Sequence, residues 1–257
     1  MALMRIRAIA ANTFREAVRD KILYSLLFFA LVMIGSSVLV AELTIGEFLK
    51  IVKDVGLGSI SIFGVLIAVF VGIQLVNREI DRKTVYTVLS KPVHRWEFIV
   101  GKFLGLGSTL FIELAVMTLG LLVLIAVVGS QFAPELAGAV ALIYLELLFL
   151  TAFAILFSTF STPTLSALFT LSVYVIGHMS NDIYRFGQKA EAEWIQVVSK
   201  IVYYVLPNLE YFNIKNQVVH NVALFPGQIG FAVAYGLIYM SIVLFAAVVI
   251  FERRDFK

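Results

Sequence analysis

The chain has 257 residues, of which 61% are hydrophobic and 14% are charged, and its formal net charge is +3. Its mean hydropathy is +0.97. A soluble domain has about 25% charged and about 45–50% apolar residues, so this composition excludes an ordinary soluble domain and indicates a protein embedded in lipid. Cysteine is absent from the sequence, which excludes disulfides and thiolate metal sites.

Residues 3–20 are predicted to form an amphipathic helix. Arg5, Arg15 and Arg19 lie away from an apolar face whose members recur at spacings of three and four: Leu3, Ile6, Ala10, Phe14 and Ala17. An apolar stripe with a basic face is typical of a helix in the headgroup region of a membrane, with an ordinary soluble amphipathic helix as the alternative. The stretch lacks a short apolar core followed by a small-residue cleavage site, so we do not expect a cleaved signal peptide.

Six apolar runs of suitable length to cross a hydrocarbon core of about 30 Å follow along the chain. The stretch from 137 to 180 is too long for one span, and we divide it at the sequence Ser161-Thr162-Pro163-Thr164, because proline cannot continue a helix beyond its first turn. The predicted spans are residues 22–41, 55–76, 103–128, 137–160, 164–180 and 227–251. The predicted fold is therefore an all-α polytopic membrane protein that forms one transmembrane domain over residues 1–257.

The distribution of Lys and Arg between the loops predicts the orientation of the chain. Segments 1–21, 78–102 and 252–257 carry 14 of the 20 basic residues, and segments 42–54 and 181–226 on the other side carry 6. Cytoplasmic loops carry an excess of Lys and Arg. We therefore expect both termini and the 78–102 stretch to be cytoplasmic, in the inner (plasma) membrane.

The outer loop, residues 181–226, contains a second amphipathic pattern within residues 190–206. Its apolar stripe consists of Trp194, Val197, Val198, Ile201, Val202 and Val205. The sequence Leu206-Pro207-Asn208 is expected to end this helix. Such a helix can lie on the outer leaflet, cap the mouth of a pathway, or pack on the helix bundle.

A short cytoplasmic helix is predicted over residues 79–90. Its polar residues include Glu79 and Asp81, and it ends at Ser90-Lys91-Pro92, since the residue before proline is displaced from helical geometry. Its apolar residues have no obvious partner within the chain; they are Ile80, Val85, Val88 and Leu89. The alternative is a loop that merely follows the positive-inside rule.

The order of residues in this stretch resembles the signature of ABC-2 type transporter permeases. The resemblance rests on Glu79, Thr84 and the apolar residues after it, then on Ser90-Lys91-Pro92-Val93-His94-Arg95 and Gly101-Lys102. Residues 11–20, 206–212 and 251–255 are similar to the family too, so the resemblance covers nearly the whole chain. It is closest to the six-span permeases used in nitrous-oxide reductase maturation. Lys83 is a departure, because many members have Gly there, and this favours a continuous helix over a tight turn.

The resemblance implies that this chain is the membrane subunit of a complex and that a separate subunit hydrolyses ATP. Residues 79–90 would be a coupling helix that docks on a separate ATP-binding cassette ATPase, and residues 3–20 would be the connecting helix. Two copies of this chain would pair with two ATPases, which would hold ATP and magnesium, and would drive substrate outward. Membrane lipid and an accessory or periplasmic protein are further expected partners, whereas nucleic acid is not. The implied ATPase contacts are Glu79, Thr84, Val85, Leu89, Pro92 and Arg95, with lipid phosphate as an alternative partner for Arg95.

The chain lacks a phosphate loop of its own, which requires Gly-x-x-x-x-Gly-Lys-Ser/Thr. Its single Gly-Lys pair, Gly101-Lys102, is followed by Phe103, and Trp96 occupies the position of the first glycine. We therefore expect no catalysis and no cofactor in this chain.

Two glutamates, Glu113 and Glu146, lie near the middle of the third and fourth predicted spans. An ionisable group there costs about 2.5–3.5 kcal/mol on insertion scales and usually faces a cavity or a partner. They are candidates for a translocation path, with helix-to-helix hydrogen bonding as the alternative. A stand-alone ion-coupled secondary carrier that uses both glutamates is the alternative function, and a membrane anchor for another enzyme is a third.

Two weaker patterns complete the set of candidates. His178, Asn181 and Asp182 have the spacing of a ligand cluster, but one histidine and one aspartate favour a polar interfacial belt over a metal site. The small-residue pairs Gly101/Gly105 and Ala232/Gly236 can bring membrane helices close together. We take these pairs as candidates for the seam between two copies of the chain.

Overall fold

The computed structural model describes residues 2–43, 47–81, 94–129 and 133–253, and within these ranges every regular element is helical. The all-α prediction is confirmed. The helices are α1 (Ala2–Ala17), α2 (Lys21–Glu42), α3 (Phe48–Asp81), α4 (Arg95–Gly129), α5 (Leu136–Ser158), α6 (Pro163–Gln188), α7 (Glu193–Val205), α8 (Lys215–Val219) and α9 (Gln228–Arg253), with a 3-10 helix at Leu209–Phe212.

Five of the described helices are long and apolar enough to cross a membrane, namely α2, α3, α4, α5 and α9. The polytopic prediction is thereby confirmed. The predicted span at 164–180 lies within α6, whose hydroxyl side chains and His178 lower its hydropathy below that of the five. The count of six therefore remains a prediction.

The helix bundle is organised around α3 and α5. In their most apolar windows, 72% and 61% of the residues are buried, against 22–28% in α2, α4 and α9. α3 contacts α2, α4, α5 and α6, and α5 contacts α3, α4, α6 and α9. The core thus lies along α3 and α5, and the other spans surround them.

Local sequence signals explain several helix boundaries. The side chain of Asp20 accepts a hydrogen bond from the Ile22 N–H at 2.9 Å and caps α2,. Thr162 is extended and Pro163 follows at the first helical position of α6, where its missing N–H is no loss. The predicted break at Ser161–Thr164 is confirmed. Gly227, with φ of +85°, allows the turn into α9,.

Two helices are longer than a membrane crossing requires. α3 and α4 have 34 and 35 residues, so each is about 50 Å long, against a hydrocarbon core of about 30 Å. α3 continues through Asp81, so the first three residues of the predicted 79–90 helix are the end of α3. The rest of that prediction lies outside the described residues.

The N-terminal helix α1 lies alongside the first turns of α4. Arg5 faces Glu97, Ile9 faces Gly101 and Thr13 faces Gly105, so the two helices run in the same direction. Of the five residues predicted to form its apolar face, Ile6 and Ala17 are buried, whereas Leu3 is 65% exposed. The helix is confirmed, and its inner face includes Thr13 in place of Leu3.

Candidate functional site

The first turn of α4 is where the first and last helices of the described chain meet. Residues His94–Phe98 follow directly after the segment 82–93, which contains most of the residues implied as ATPase contacts. α1 packs against this turn from one side, and the end of α9 packs against it from another. We call this set of contacts the α4 junction, and the end of the bundle where it lies the junction end.

Arg95 holds the C-terminal end of α9 within the α4 junction. Its guanidinium donates hydrogen bonds to the carbonyl oxygens of Phe251, at 2.7 Å, and Glu252, at 2.8 Å. Its Cζ atom lies 5.9 Å from the centre of the Phe251 ring, which stacks on Phe98. Since the last carbonyls of a helix lack intrahelical partners, a cation there satisfies them and complements the helix dipole. Arg95 therefore has a structural role within the chain.

Glu97 links α1 to the start of α4. Its carboxylate accepts the His94 N–H at 2.9 Å and lies 3.5 Å from the Arg5 guanidinium. An acidic side chain that reaches back from the third helical position to the preceding N–H is half of a capping box. Glu97 was not predicted as a functional residue, although a glutamate at the third helical position is a recognisable signal.

Gly101 and Gly105 provide the groove into which α1 fits. A Cβ atom at Gly101 would lie 2.7 Å from Ile9, and one at Gly105 would lie 2.7 Å from the Ala10 carbonyl oxygen. Both faces are thus occupied within the chain, and the prediction that this pair forms a dimer seam is wrong. The same holds for Ala232/Gly236: Ala232 is buried, and a Cβ at Gly236 would lie 3.1 Å from Phe212.

The Gly101-Lys102 pair is helical and buried. Lys102 is 1% exposed, and its Nζ atom lies 5.7 Å from the centre of the Phe98 ring. Of the six residues implied as ATPase contacts, Arg95 is the one whose side chain is described. The positions Thr84, Val85, Leu89 and Pro92 lie outside the described residues, and Glu79 is described only as part of α3.

The two predicted path glutamates are buried at separate places in the bundle. Glu113 is 4% exposed, and neither of its carboxylate oxygens has a hydrogen-bond partner in the part of the chain that the structure describes. Glu146 has Lys215 and Glu210 as its charged neighbours, and Glu113 is not among them. The structure therefore does not combine the two glutamates into one site.

Glu146 contacts His178, a pairing that we did not predict. Its Oε1 atom lies 3.5 Å from Nε2 of His178, and the side chains are 2% and 20% exposed. The ligand cluster of His178, Asn181 and Asp182, which the sequence analysis did not favour, is not formed: Asn181 accepts a hydrogen bond from Asn208, and Asp182 is exposed. No group of three or more potential metal ligands occurs among the described residues.

An apolar groove lies between α4 and α5, with a volume of about 680 Å³. Thr118 and Tyr144 contribute hydroxyl groups to its wall, and the remaining lining side chains, such as Phe111 and Leu122, are apolar. Neither Glu113 nor Glu146 lines it. The groove is therefore not the path that the two glutamates were predicted to mark.

The predicted amphipathic helix of the outer loop is confirmed as α7. Ser199 is buried and packs so closely on Gly187 of α6 that a Cβ atom there would clash with it. The apolar stripe faces away from the bundle; its exposed members are Trp194, Val197, Val198, Ile201 and Val205. The helix therefore packs on α6 through the side opposite its apolar stripe.

The comparisons with known proteins agree with this architecture. A family model described as "ABC-2 family transporter protein" matches residues 7–256. None of the curated proteins compared with the chain is significantly similar to it. The nitrous-oxide reductase maturation subtype is not part of the family description and remains a prediction.

Proposed function

Because the chain belongs to the ABC-2 family of transporter proteins, we propose that this transporter permease is the membrane subunit of an exporter in the inner (plasma) membrane, driven by ATP hydrolysis in a partner subunit. The observation that carries the proposal is the family match over residues 7–256. In the proposed complex, two copies of the chain associate with two ATP-binding cassette subunits, and both chain termini are cytoplasmic.

The geometry around residues 82–93 supports a coupling role for this segment. It connects the ends of α3 and α4, which are both long enough to extend beyond the hydrocarbon core,. Arg95 binds α9 directly after the segment, and Glu97 contacts Arg5 of α1. A force applied to the segment would therefore reach the first and last helices of the chain as well as the two central spans.

The test is co-purification of the tagged chain with the products of its neighbouring genes. We expect a particle of two permeases and two ATPases whose ATPase activity responds to the permease. Val85→Glu places a charge in the apolar face of the proposed coupling helix and should abolish that response. A permease that purifies alone, and whose activity in cells is unchanged by Val85→Glu, would contradict the proposal.

Arg95 requires a control, because its contacts within the chain give it a structural role as well. Arg95→Gln removes charge-assisted hydrogen bonds, which are worth about 1.5–3 kcal/mol. If Arg95 acts only through α9, the variant should have a lower melting temperature and bind the ATPase subunit normally. Weaker ATPase binding at unchanged melting temperature would assign it to the subunit contact. Arg15→Gln, on the exposed side of α1, is the matched control.

A second candidate function is an ion-coupled secondary carrier, and the burial of Glu113 favours it. Both oxygens of this carboxyl group lack a partner in the described ranges, which fits a group that binds an ion during transport. Glu113→Gln distinguishes the two functions. A carrier that uses this carboxyl group should lose transport, whereas an exporter in which Glu113 only joins helices should retain it and lose assembly in Glu113→Leu.

A further inference from the structure

A polar cluster lies between four helices, near the middle of α5. α5 contributes Glu146, α6 contributes Tyr174 and His178, α3 contributes Ser61, and α8 contributes Lys215. Glu146 is the eleventh residue of a 23-residue helix, so it lies about 15 Å from the N-terminus of α5. The cluster is remote from the α4 junction, and neither the family description nor the coupling role accounts for it.

The hydrogen bond made by one ring nitrogen defines the protonation of His178. Nδ1 lies 3.2 Å from the carbonyl oxygen of Tyr174. A carbonyl oxygen can only accept, so Nδ1 must carry a hydrogen atom. The Nε2 atom, which faces Glu146, therefore has a lone pair if the ring is neutral and a second hydrogen atom if the ring is charged.

The facing atoms of the two side chains require a proton between them. Oε1 of Glu146 and Nε2 of His178 are 3.5 Å apart, and neither has another hydrogen-bond partner in the described part of the chain. Without a proton, two buried lone pairs would face each other, one of them on a carboxylate, which is costly inside a membrane. With one proton, the pair is neutral overall. A small movement of Oε1 and Nε2 toward each other then gives a hydrogen bond between them.

Lys215 and Glu210 are the charged groups that face this pair from the neighbouring elements. The ammonium of Lys215 donates to the Ser61 hydroxyl at 3.3 Å, and Ser61 lies beside the Tyr174 hydroxyl. The positive charge of Lys215 disfavours a second proton on the pair, and the negative charge of Glu210 acts in the opposite direction. Lys215 is half-buried. Through its contact with Ser61 it connects the segment between α7 and α9 to the cluster.

We propose that Glu146 and His178 form a proton-binding site that holds a single shared proton and that Lys215 faces from the neighbouring helix α8. The proton joins α5 to α6 while it is bound, and its loss leaves a buried carboxylate that weakens this contact. The site is a property of the chain itself, so it does not depend on the proposed coupling to an ATPase.

The experiment uses the purified full chain with His94→Gln and His220→Gln, two exposed positions, so that His178 is the remaining histidine. Nitrogen NMR of labelled histidine reports the hydrogen atoms on Nδ1 and Nε2. Infrared difference spectra against Glu146→Gln report whether the carboxyl group is protonated. At neutral pH we expect a hydrogen on Nδ1 and one proton shared between Nε2 and the carboxyl group. Detection of no proton, or of two, would overturn the proposal.

Substitution of Lys215 tests the electrostatic effect of its charge on the shared proton. Lys215→Gln removes a charge that disfavours protonation, so the shared proton should be lost at a higher pH than in the native chain. Lys200→Gln, an exposed lysine of α7, should leave the titration unchanged. An identical titration in both variants would contradict the part assigned to Lys215. Glu146→Gln retains a donor for Nε2 and should abolish the titration of His178 without loss of the fold.

Discussion

At the scale of single residues, the close approach of α1 to α4 depends on the absence of a side chain at Gly105. A Cβ atom there would lie 2.6 Å from Thr13 Cβ and 2.7 Å from the Ala10 carbonyl oxygen, and a backbone atom cannot move away as the end of a side chain can. We expect Gly105→Ala to displace α1 and to lower the melting temperature, although alanine favours helices by about 1 kcal/mol over glycine.

The control for this variant is Gly35→Ala, because a Cβ atom at Gly35 in α2 meets nothing within 4 Å. This variant should be neutral or stabilising. Since the chain lacks cysteine, a cysteine introduced at the buried Ile6 reports the position of α1 by its reaction with a maleimide. Equal maleimide reaction in the native and Gly105→Ala backgrounds would refute the prediction.

A second residue-scale prediction concerns the ion pair between α3 and the start of α5. Lys53 lies 2.7 Å from Glu135, and this hydrogen bond lowers the pKa of Glu135 below its ordinary value. A lowered pKa in the folded state stabilises the fold above the unfolded-state pKa, and this contribution is lost as the pH falls through the folded-state value. Because Glu135 is exposed, the contribution should be below about 1 kcal/mol.

We therefore expect Glu135→Gln to lower the melting temperature slightly at neutral pH and to have no effect in acid. Glu191→Gln, at an exposed position, is the comparison and should be neutral throughout. A destabilisation by Glu135→Gln that persists unchanged in acid would show that the Lys53 contact is not its cause.

The residues that sequence reasoning missed share one physical cause. Spacing indicates that Gly101 and Gly105 permit close helix contact, but it does not identify the partner, which is α1 of the same chain. Glu146 was recognised as a buried ionisable group, yet His178 is 32 positions away on another helix. Pairings between helices depend on how the bundle folds, and a single apolar sequence is compatible with many of them.

At the scale of helices, the exposed stripe of α7 leads to a prediction about lipid. Trp194 is 68% exposed and Ile201 is 55% exposed, whereas Ser199 faces α6. An amphipathic helix with an outward apolar face and terminal aromatic residues is suited to the membrane interface. We expect α7 to lie on the outer leaflet, so brominated lipids should quench the fluorescence of Trp194 in a Trp96→Phe background, in which it is the single tryptophan.

The depth of the bromine atoms makes this measurement specific. Quenching should be strongest when bromine lies near the headgroups and weaker when it lies deep in the acyl chains. Trp194→Phe with Trp96 retained gives the signal of the remaining tryptophan. Quenching of Trp194 by aqueous acrylamide but not by lipid would instead favour a helix that caps the mouth of a pathway.

Helices were the most predictable level of this structure, because each one is encoded by neighbouring residues. The break before Pro163 and the outer helix followed from local signals. The full lengths of α3 and α4 could not be predicted from local signals, because the polar extensions of these helices resemble loops in a hydropathy pattern. Packing of α1 against the first turns of α4 stabilises one of these extensions, and that contact joins residues about 90 positions apart.

At the scale of the whole molecule, the contacts of the two terminal helices constrain the number of membrane crossings. Arg5 of α1 contacts Glu97, and the end of α9 contacts Arg95. Both ends of the described chain therefore lie at the same end of α4. An even number of membrane crossings returns a chain to the side where it began. Crossings by α2, α3, α4, α5 and α9 alone would leave the two termini on opposite sides of the membrane. This argument favours a crossing by α6 as well.

The properties of α6 are compatible with that crossing. Its 26 residues extend about 39 Å. Two of its hydroxyl groups bond within the helix: Thr170 donates to the Ser166 carbonyl at 2.7 Å and Ser172 to the Leu168 carbonyl at 2.8 Å. We expect cysteines at Leu3 and Glu252, both exposed, to react with an impermeant maleimide from one side of the membrane, and a cysteine at the exposed Val222 to react from the other. Reaction of Leu3→Cys and Glu252→Cys from opposite sides would mean an odd number of crossings, and α6 would then lie within the bundle without spanning it.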